Sequence, residues 1–198
     1  MEEVSLIQML DARERRVRHQ QELLARYGKP LVCFTMNIAG PVKDTPLIRR
    51  GFARGRQLLE RQFLRCRWTP LSTDVSRAVT GCEAFYVLDA SPLEIKRLTT
   101  LVEDASPLGR LFDMDVLCPD GRKVDREELQ LEGRRCLLCG GPAKVCSSRR
   151  VHTVAALQEK TTEILTRTFT ELDAATAAQQ AVRALLYEVT TTPKPGLV

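Results

Sequence analysis

Asp113 and Asp115 stand two residues apart in Arg110 to Cys118 (RLFDMDVLC), where alternation of Leu111, Asp113, Asp115 and Leu117 against Phe112, Met114, Val116 and Cys118 predicts a β-strand. Side chains two apart on a strand share a face, so the two carboxylates project together from a face otherwise apolar. Like charges placed so repel each other and lose solvation unless a cation sits between them. A hard ion such as Mg²⁺ takes one or two carboxylates plus substrate phosphates, the arrangement a D-x-D strand supplies for nucleotidyl transfer. The plainer alternative comes from the turn signal Pro119-Asp120-Gly121, with Arg122 to Arg126 returning as a second strand. A tight turn about Pro119-Asp120 places Arg126 opposite Asp113 and Val124 opposite Asp115, which would make an Asp113 to Arg126 ion pair worth roughly 0.2 to 1 kcal/mol.

A second cluster lies at Cys136, Cys139, Cys146 and His152, spaced C-x2-C, then six residues, then five. The C-x2-C knuckle with its Gly140-Gly141-Pro142 turn lets two thiolates point at one ion, and three cysteines with one histidine form a tetrahedral zinc set. Cys118 is an alternative ligand. Small buried hydrophobes, reduced thiols or a redox pair are the competing readings, the last without a thioredoxin-like strand and helix to support it. There are seven cysteines, an odd number, and the N-terminus MEEVSLIQMLDARERRVRHQ has no apolar core or cleavage site of a secretory signal. Expected are a reducing, cytoplasmic setting, no disulfides and no association with membrane.

A third feature is basic. Pro46 to Arg67 carries Arg49, Arg50, Arg54, Arg56, Arg61, Arg65 and Arg67 against Glu60 alone, so its local surplus exceeds the +5 of all 198 residues. Such a stripe faces an anion or is balanced by acids elsewhere in the fold.

The elements that must position these groups are legible in outline. Leu6 to Tyr27 predicts an amphipathic helix ended by Gly28 and Pro30; Leu31 to Ile38 a buried strand; Pro46 to Arg67 a helix. Ala84 to Leu88 predicts a strand, Ser91 onward a helix with Pro92 at its first position, and Thr153 to Glu188 two further helices. The expected class is α/β in the α+β sense: a small mixed sheet with flanking helices, a Cys-rich knuckle and C-terminal helices.

The stretches LVCFTMNIAGPVKD, SPLGRLFDMDVLCPDG and GRRCLLCGGPAKVCSSRRVH, in this order, resemble the apo-citrate lyase phosphoribosyl-dephospho-CoA transferases, from roughly Leu6 to Leu157. That resemblance implies transfer of 2'-(5-triphosphoribosyl)-3'-dephospho-CoA to a serine of the citrate lyase acyl carrier (gamma) subunit, with release of pyrophosphate. It further implies Asp113 and Asp115 as catalytic Mg²⁺ ligands, Lys43, Arg49, Arg50 and Arg110 as substrate-binding cations, and Arg134, Arg135, Arg149 and Arg150 as a docking patch for an acidic carrier. The D-x-D strand is more distantly similar to the nucleotidyltransferase superfamily, but Ser106-Pro107-Leu108-Gly109-Arg110 stands where that superfamily has a Gly-Ser turn. Residues from Val182 (VRALLYEVTTTPKPGLV) resemble the opening of triphosphoribosyl-dephospho-CoA synthase, so the expected organisation is a transferase domain over 1–170 and the truncated start of a fused synthase domain over 171–198. The rival reading is a zinc-knuckle module for nucleic acid, against which stand the modest charge, the 5% aromatic content and the unexplained D-x-D strand.

Overall fold

The computed structural model describes residues 2–191, with side chains described through residue 180; the Thr-Pro-Lys-Pro-Gly-Leu-Val end at 192–198 lies outside the described residues. Helix α1 (Leu6–Tyr27) begins at a capping box, in which Ser5 Oγ accepts from Gln8 N and the Gln8 side chain accepts from Ser5 N. It ends at Gly28, whose φ of 59° is left-handed and releases the chain into β1 (Leu31–Met36). Helix α2 (Pro46–Arg65) is capped by Thr45 and carries Pro46 in its first turn. Then follow β2 (Ser72–Ala78), β3 (Gly81–Val87), α3 (Pro92–Asp104), β4 (Phe112–Leu117), α4 (Ala143–Ser148) and α5 (Val154–Thr191).

The strands form one sheet in the order β2-β3-β1-β4. The α+β arrangement of a small sheet with flanking helices is as expected, but all three pairings are antiparallel, where a mixed sheet was expected. Alternation sends Val32, Phe34, Ala84, Tyr86, Phe112, Met114 and Val116 to one face, where they meet Phe52, Leu59 and Phe63 of α2, Ile95 and Val102 of α3, and Leu165 and Phe169 of α5. Phe34 stacks on Phe52 at 4.8 Å and meets Phe112 edge-on at 5.3 Å, pairs worth about 0.5 to 1.5 kcal/mol each beyond the area they bury. Helix α2 approaches closely because residue 55 is glycine: a Cβ there would stand 2.5 Å from the Phe34 ring. The opposite face carries a smaller core of Leu31, Cys33, Phe85, Val87 and Leu117 under Leu23 and Leu24 of α1.

Strand β4 is an edge, and its outward backbone groups are capped rather than left open. Glu103, 2% exposed, accepts from Met114 N at 2.8 Å; buried Lys96 donates to Met114 O at 3.3 Å; Val124 N donates to Val116 O at 2.9 Å; and Arg134 donates to Phe112 O.

Three sequence expectations are corrected. The turn after β4 holds three residues: Gly121, at φ 85°, is the extra one, Gly121 N donates to Cys118 O, and Leu117 bridges Lys123. The return strand therefore stops almost at once and gives way to a 3-10 turn at Arg126–Leu129. Arg126 consequently does not oppose Asp113 but pairs with Glu103 at 2.6 Å and Asp104 at 2.8 Å. Finally, Thr153 to Glu188 is not two helices, since α5 runs unbroken from Val154 to Thr191.

Three of the seven arginines in the basic stripe from Pro46 to Arg67 are balanced inside the molecule. Arg49 is held by both oxygens of Asp44 at 3.0 Å, Arg50 by Asp173 at 2.7 Å, and Arg56 by Glu60 at 2.8 Å. Asp44 also accepts from Arg77 of β2 at 2.8 Å, and so ties α2 to the sheet edge. Burial would raise the Asp44 pKa, but Arg77 and Arg49 outweigh it and hold the carboxyl below its ordinary 3.8. A depressed folded pKa contributes stability that is present above the unfolded value and lost as pH falls through the folded one. Asp44→Asn is thus expected to cost about 1 kcal/mol at neutral pH, limited by solvent screening of Arg77, with the cost vanishing in acid. Thermal midpoints of both proteins measured from neutral pH to below 3.8 check this, and a gap that persists unchanged into acid would contradict it.

Candidate active site and metal cluster

Asp113 and Asp115 do share one face of β4, as the period of two requires, opposite Thr35 and Cys33 of β1 in the register. Each faces a cation. Arg134 Nη1 donates to Asp113 at 3.2 Å and Lys123 Nζ pairs with Asp115 at 2.6 Å. Burial first, and then the Asp115 carboxylate, push the Asp113 pKa up in spite of Arg134. Neighbouring Cys33 is 3% exposed, and burial pushes its thiol up to about 12, which favours the protonated form at neutral pH.

Two cavities meet at this strand, and Asp113 is the one residue that lines both. The larger, about 960 Å³, is bounded by Asp113, Asp115, Lys96, Lys123, Arg126, Arg134 and, from α4, Lys144, Ser147 and Ser148. The smaller, about 140 Å³, is bounded by Thr35 and Asn37 at the end of β1, Lys43, Arg13 and Arg16 of α1, and Thr80-Gly81 between β2 and β3. Of the substrate-binding cations proposed from sequence, Lys43 lines the smaller cavity together with Asp113. Arg49, Arg50 and Arg110 line neither cavity. Arg50 instead lies over the Phe169 ring at 4.3 Å, and Arg110 donates to Arg135 O and lines a separate groove against α5.

The groups that sequence reasoning missed are Arg13, Arg16, Lys96, Glu103 and Lys123, and Arg134 in this role. No local signal marks Arg134 as a neighbour of Asp113, because 21 residues separate them and the contact depends on how the cysteine knuckle folds back.

That knuckle gathers Cys136, Cys139, Cys146 and His152 so that their ligand atoms all lie within 4.8 Å of one another. Cys139 Sγ is 3.5 Å from Cys146 Sγ and 3.3 Å from His152 Nε2. Metal–sulfur bonds of about 2.3 Å in a tetrahedron place sulfurs roughly 3.8 Å apart, so the set fits a metal ion. Burial would raise the Cys136 pKa, but the backbone N–H groups of Cys139 and Leu138 and the neighbouring thiols lower it to about 7, towards the thiolate a metal requires. Backbone geometry supplies the turn: Gly140 adopts φ 72°, and Cys136 N and Gly141 O close at 2.6 Å. His152 directly precedes Thr153, whose Oγ1 accepts from Ala156 N and caps α5, so an ion here would fasten the knuckle to that helix. Cys118 is not part of the set; it is buried and accepts from Arg122 at 3.5 Å. The other histidine, His19, faces Asp74 at 3.2 Å. Among the described residues no helix is long and apolar enough to cross a membrane.

The sequence profile of the family described as apo-citrate lyase phosphoribosyl-dephospho-CoA transferase matches residues 4–168. A probable apo-citrate lyase phosphoribosyl-dephospho-CoA transferase of Vibrio cholerae is 38% identical over 162 residues, covering 81% of this chain and 91% of that protein. The apo-citrate lyase phosphoribosyl-dephospho-CoA transferase of Citrobacter koseri is 35% identical over 154 residues, covering 78% and 84%. Protein CitXG of Haemophilus influenzae is 33% identical over 196 residues, and the match takes in 98% of this chain but only 41% of that longer protein.

Proposed function

This chain belongs to the apo-citrate lyase phosphoribosyl-dephospho-CoA transferase family, and from that we propose that it attaches the 2'-(5-triphosphoribosyl)-3'-dephospho-CoA group to a serine of the citrate lyase acyl carrier subunit and so makes the holo-carrier. The observation that carries the mechanism is the pair Asp113 and Asp115 on the wall of the large cation-lined cleft, with Asp113 also lining the smaller cavity. In the reaction the serine Oγ–H gives up its proton, a bond forms from that oxygen to the phosphorus next to the ribose, and the bond from this phosphorus to the bridging oxygen breaks. Pyrophosphate leaves with the electron pair. Such transfers ask the protein for positioning and charge neutralisation more than for covalent participation.

Asp113, reachable from both cavities, accepts the serine proton. Asp113 and Asp115 together would hold a magnesium ion, which when bound neutralises phosphate charge. Lys123 and Arg134 orient the two carboxylates, and Lys43 engages the triphosphate. Lys144 on the wall of the large cleft, with exposed Arg149 and Arg150 at the end of α4, offers an acidic carrier a basic landing next to the site. The ion that suits Cys136, Cys139, Cys146 and His152 is zinc in a structural role, since all four positions are filled by protein. Residues 171–198 are the start of a fused synthase domain, a reading supported by the resemblance to that enzyme from Val182 onward and by a match to the longer relative that takes in 98% of this chain.

The test is pyrophosphate release on mixing this protein with apo-carrier, Mg²⁺ and the triphosphoribosyl precursor. Release is expected in proportion to holo-carrier formed and abolished by a Ser→Ala carrier. Release that is indifferent to the carrier would refute the assignment, and salt-sensitive binding of single-stranded RNA without transfer would favour the nucleic-acid module instead.

A further inference from the structure

The smaller cavity has a composition that a ligand-free protein has no reason to keep. Arg13, Arg16 and Lys43 all line it, and Arg13 is close enough for its charge to act on Lys43. Arg16 is matched by Glu83 at 2.7 Å, whereas Arg13 has no ion-pair or hydrogen-bond partner among the described residues. Lys43 donates to Ile38 O, and its pKa is pushed down by burial and by the charge of Arg13. Lys43 is half-buried and Arg13 exposed at its rim; two like charges this close repel, and an anion between them removes the penalty. At about 30 Å³ per water, the 140 Å³ would hold roughly five waters, a space matched to a diphosphate rather than to a whole nucleotide. The only carboxylate on its wall is Asp113, the residue it shares with the large cleft.

We propose that this cavity is the pyrophosphate subsite, with Arg13 of α1 and Lys43 as its two clamps. The proposal rests on the transferase reading. Placing the reacting phosphorus at Asp113 lets the carrier serine arrive from the large cleft while the bond to the bridging oxygen breaks on the side of the small one. Entering and leaving oxygens are then roughly in line, as phosphoryl chemistry requires. The β- and γ-phosphates sit between Arg13 and Lys43 before the step and depart from there as pyrophosphate after it. Division of labour follows: the small cavity reads the polyphosphate and the large cleft reads the dephospho-CoA group and the carrier.

Calorimetry with inorganic pyrophosphate and Mg²⁺ tests this in the intact chain, using Arg13→Gln, an exposed helix position whose replacement leaves the core untouched. Arg13→Gln is expected to weaken pyrophosphate binding by about tenfold or more, with Arg13→Lys in between. The KM for the triphosphoribosyl precursor should rise in parallel, while competition by dephospho-CoA, which lacks the triphosphate, stays as in the wild type. Equal pyrophosphate affinity in wild type and Arg13→Gln overturns the subsite even if transfer proceeds normally. Arg13-dependent pyrophosphate binding in a protein that transfers nothing upholds the subsite and removes the transferase reading instead.

Discussion

Asp113→Asn is expected to lower the rate of transfer to the carrier by about a thousandfold or more and to leave the fold intact. Loss of a general base alone removes about 10² to 10⁴ in rate, and the same substitution halves the charge available to a divalent ion. Asp115→Asn should fall in the same range, because it removes the other carboxylate of the pair. Stability should move the other way or not at all. Burial and the Asp115 carboxylate push Asp113 toward its neutral form, so the thermal midpoint of Asp113→Asn should equal or exceed that of the wild type, whereas Asp115→Asn trades the same repulsion against loss of the Lys123 pair at 2.6 Å and should leave the midpoint near the wild-type value. Kinetics and melting measured on the same preparations separate this from a structural role. A variant that transfers normally, or that loses activity only because it unfolds, would contradict the assignment.

The second large effect concerns the knuckle. Purified protein is expected to carry one zinc per chain by elemental analysis, and Cys139→Ser to abolish it, since Cys139 lies within 3.5 Å of both Cys146 Sγ and His152 Nε2. Binding of structural zinc is worth on the order of 10 kcal/mol in small fingers, so the segment from Arg134 to His152 should lose its order without the ion. Transfer should then fall as well, although no ligand of this cluster belongs to the carboxylate pair. The connection is Arg134, two residues before Cys136, which reaches Asp113 at 3.2 Å and caps the edge of β4 at Phe112 O. Arg134→Gln in zinc-loaded protein should reproduce the activity loss without the loss of metal. Full activity in metal-free Cys139→Ser would show that the knuckle does not position the site.

Some of this architecture could be read from residues alone and some could not, for reasons that differ by element. Strong periods were legible: α1 runs from Leu6 to Tyr27 as its apolar pattern and Gly28 dictate, and the alternation around Asp113 put both carboxylates on one face. Strand β2 was missed because Ser72–Ala78 is an almost wholly exposed edge without an apolar alternation to detect. Helix α4 is only six residues long and has no period of its own. The basic stripe on α2 was visible, yet the acids that neutralise Arg49 and Arg50 come from other elements. Conversely, Arg13 looked like part of a solvated helix flank and acquires its meaning only where α1 crosses the end of β1. A single extra residue in the turn at Gly121 was enough to move Arg126 from Asp113 to Glu103 and leave Asp113 to Arg134.

Loading of the citrate lyase carrier by this chain would be written directly in the carrier's mass. The most direct measurement is the intact mass of apo acyl carrier subunit after incubation with this protein, Mg²⁺ and triphosphoribosyl-dephospho-CoA. The expected result is a gain equal to the precursor less pyrophosphate, confined to one serine and absent with Asp113→Asn. An unchanged carrier mass, with the precursor shown intact at the end of the incubation, would contradict it.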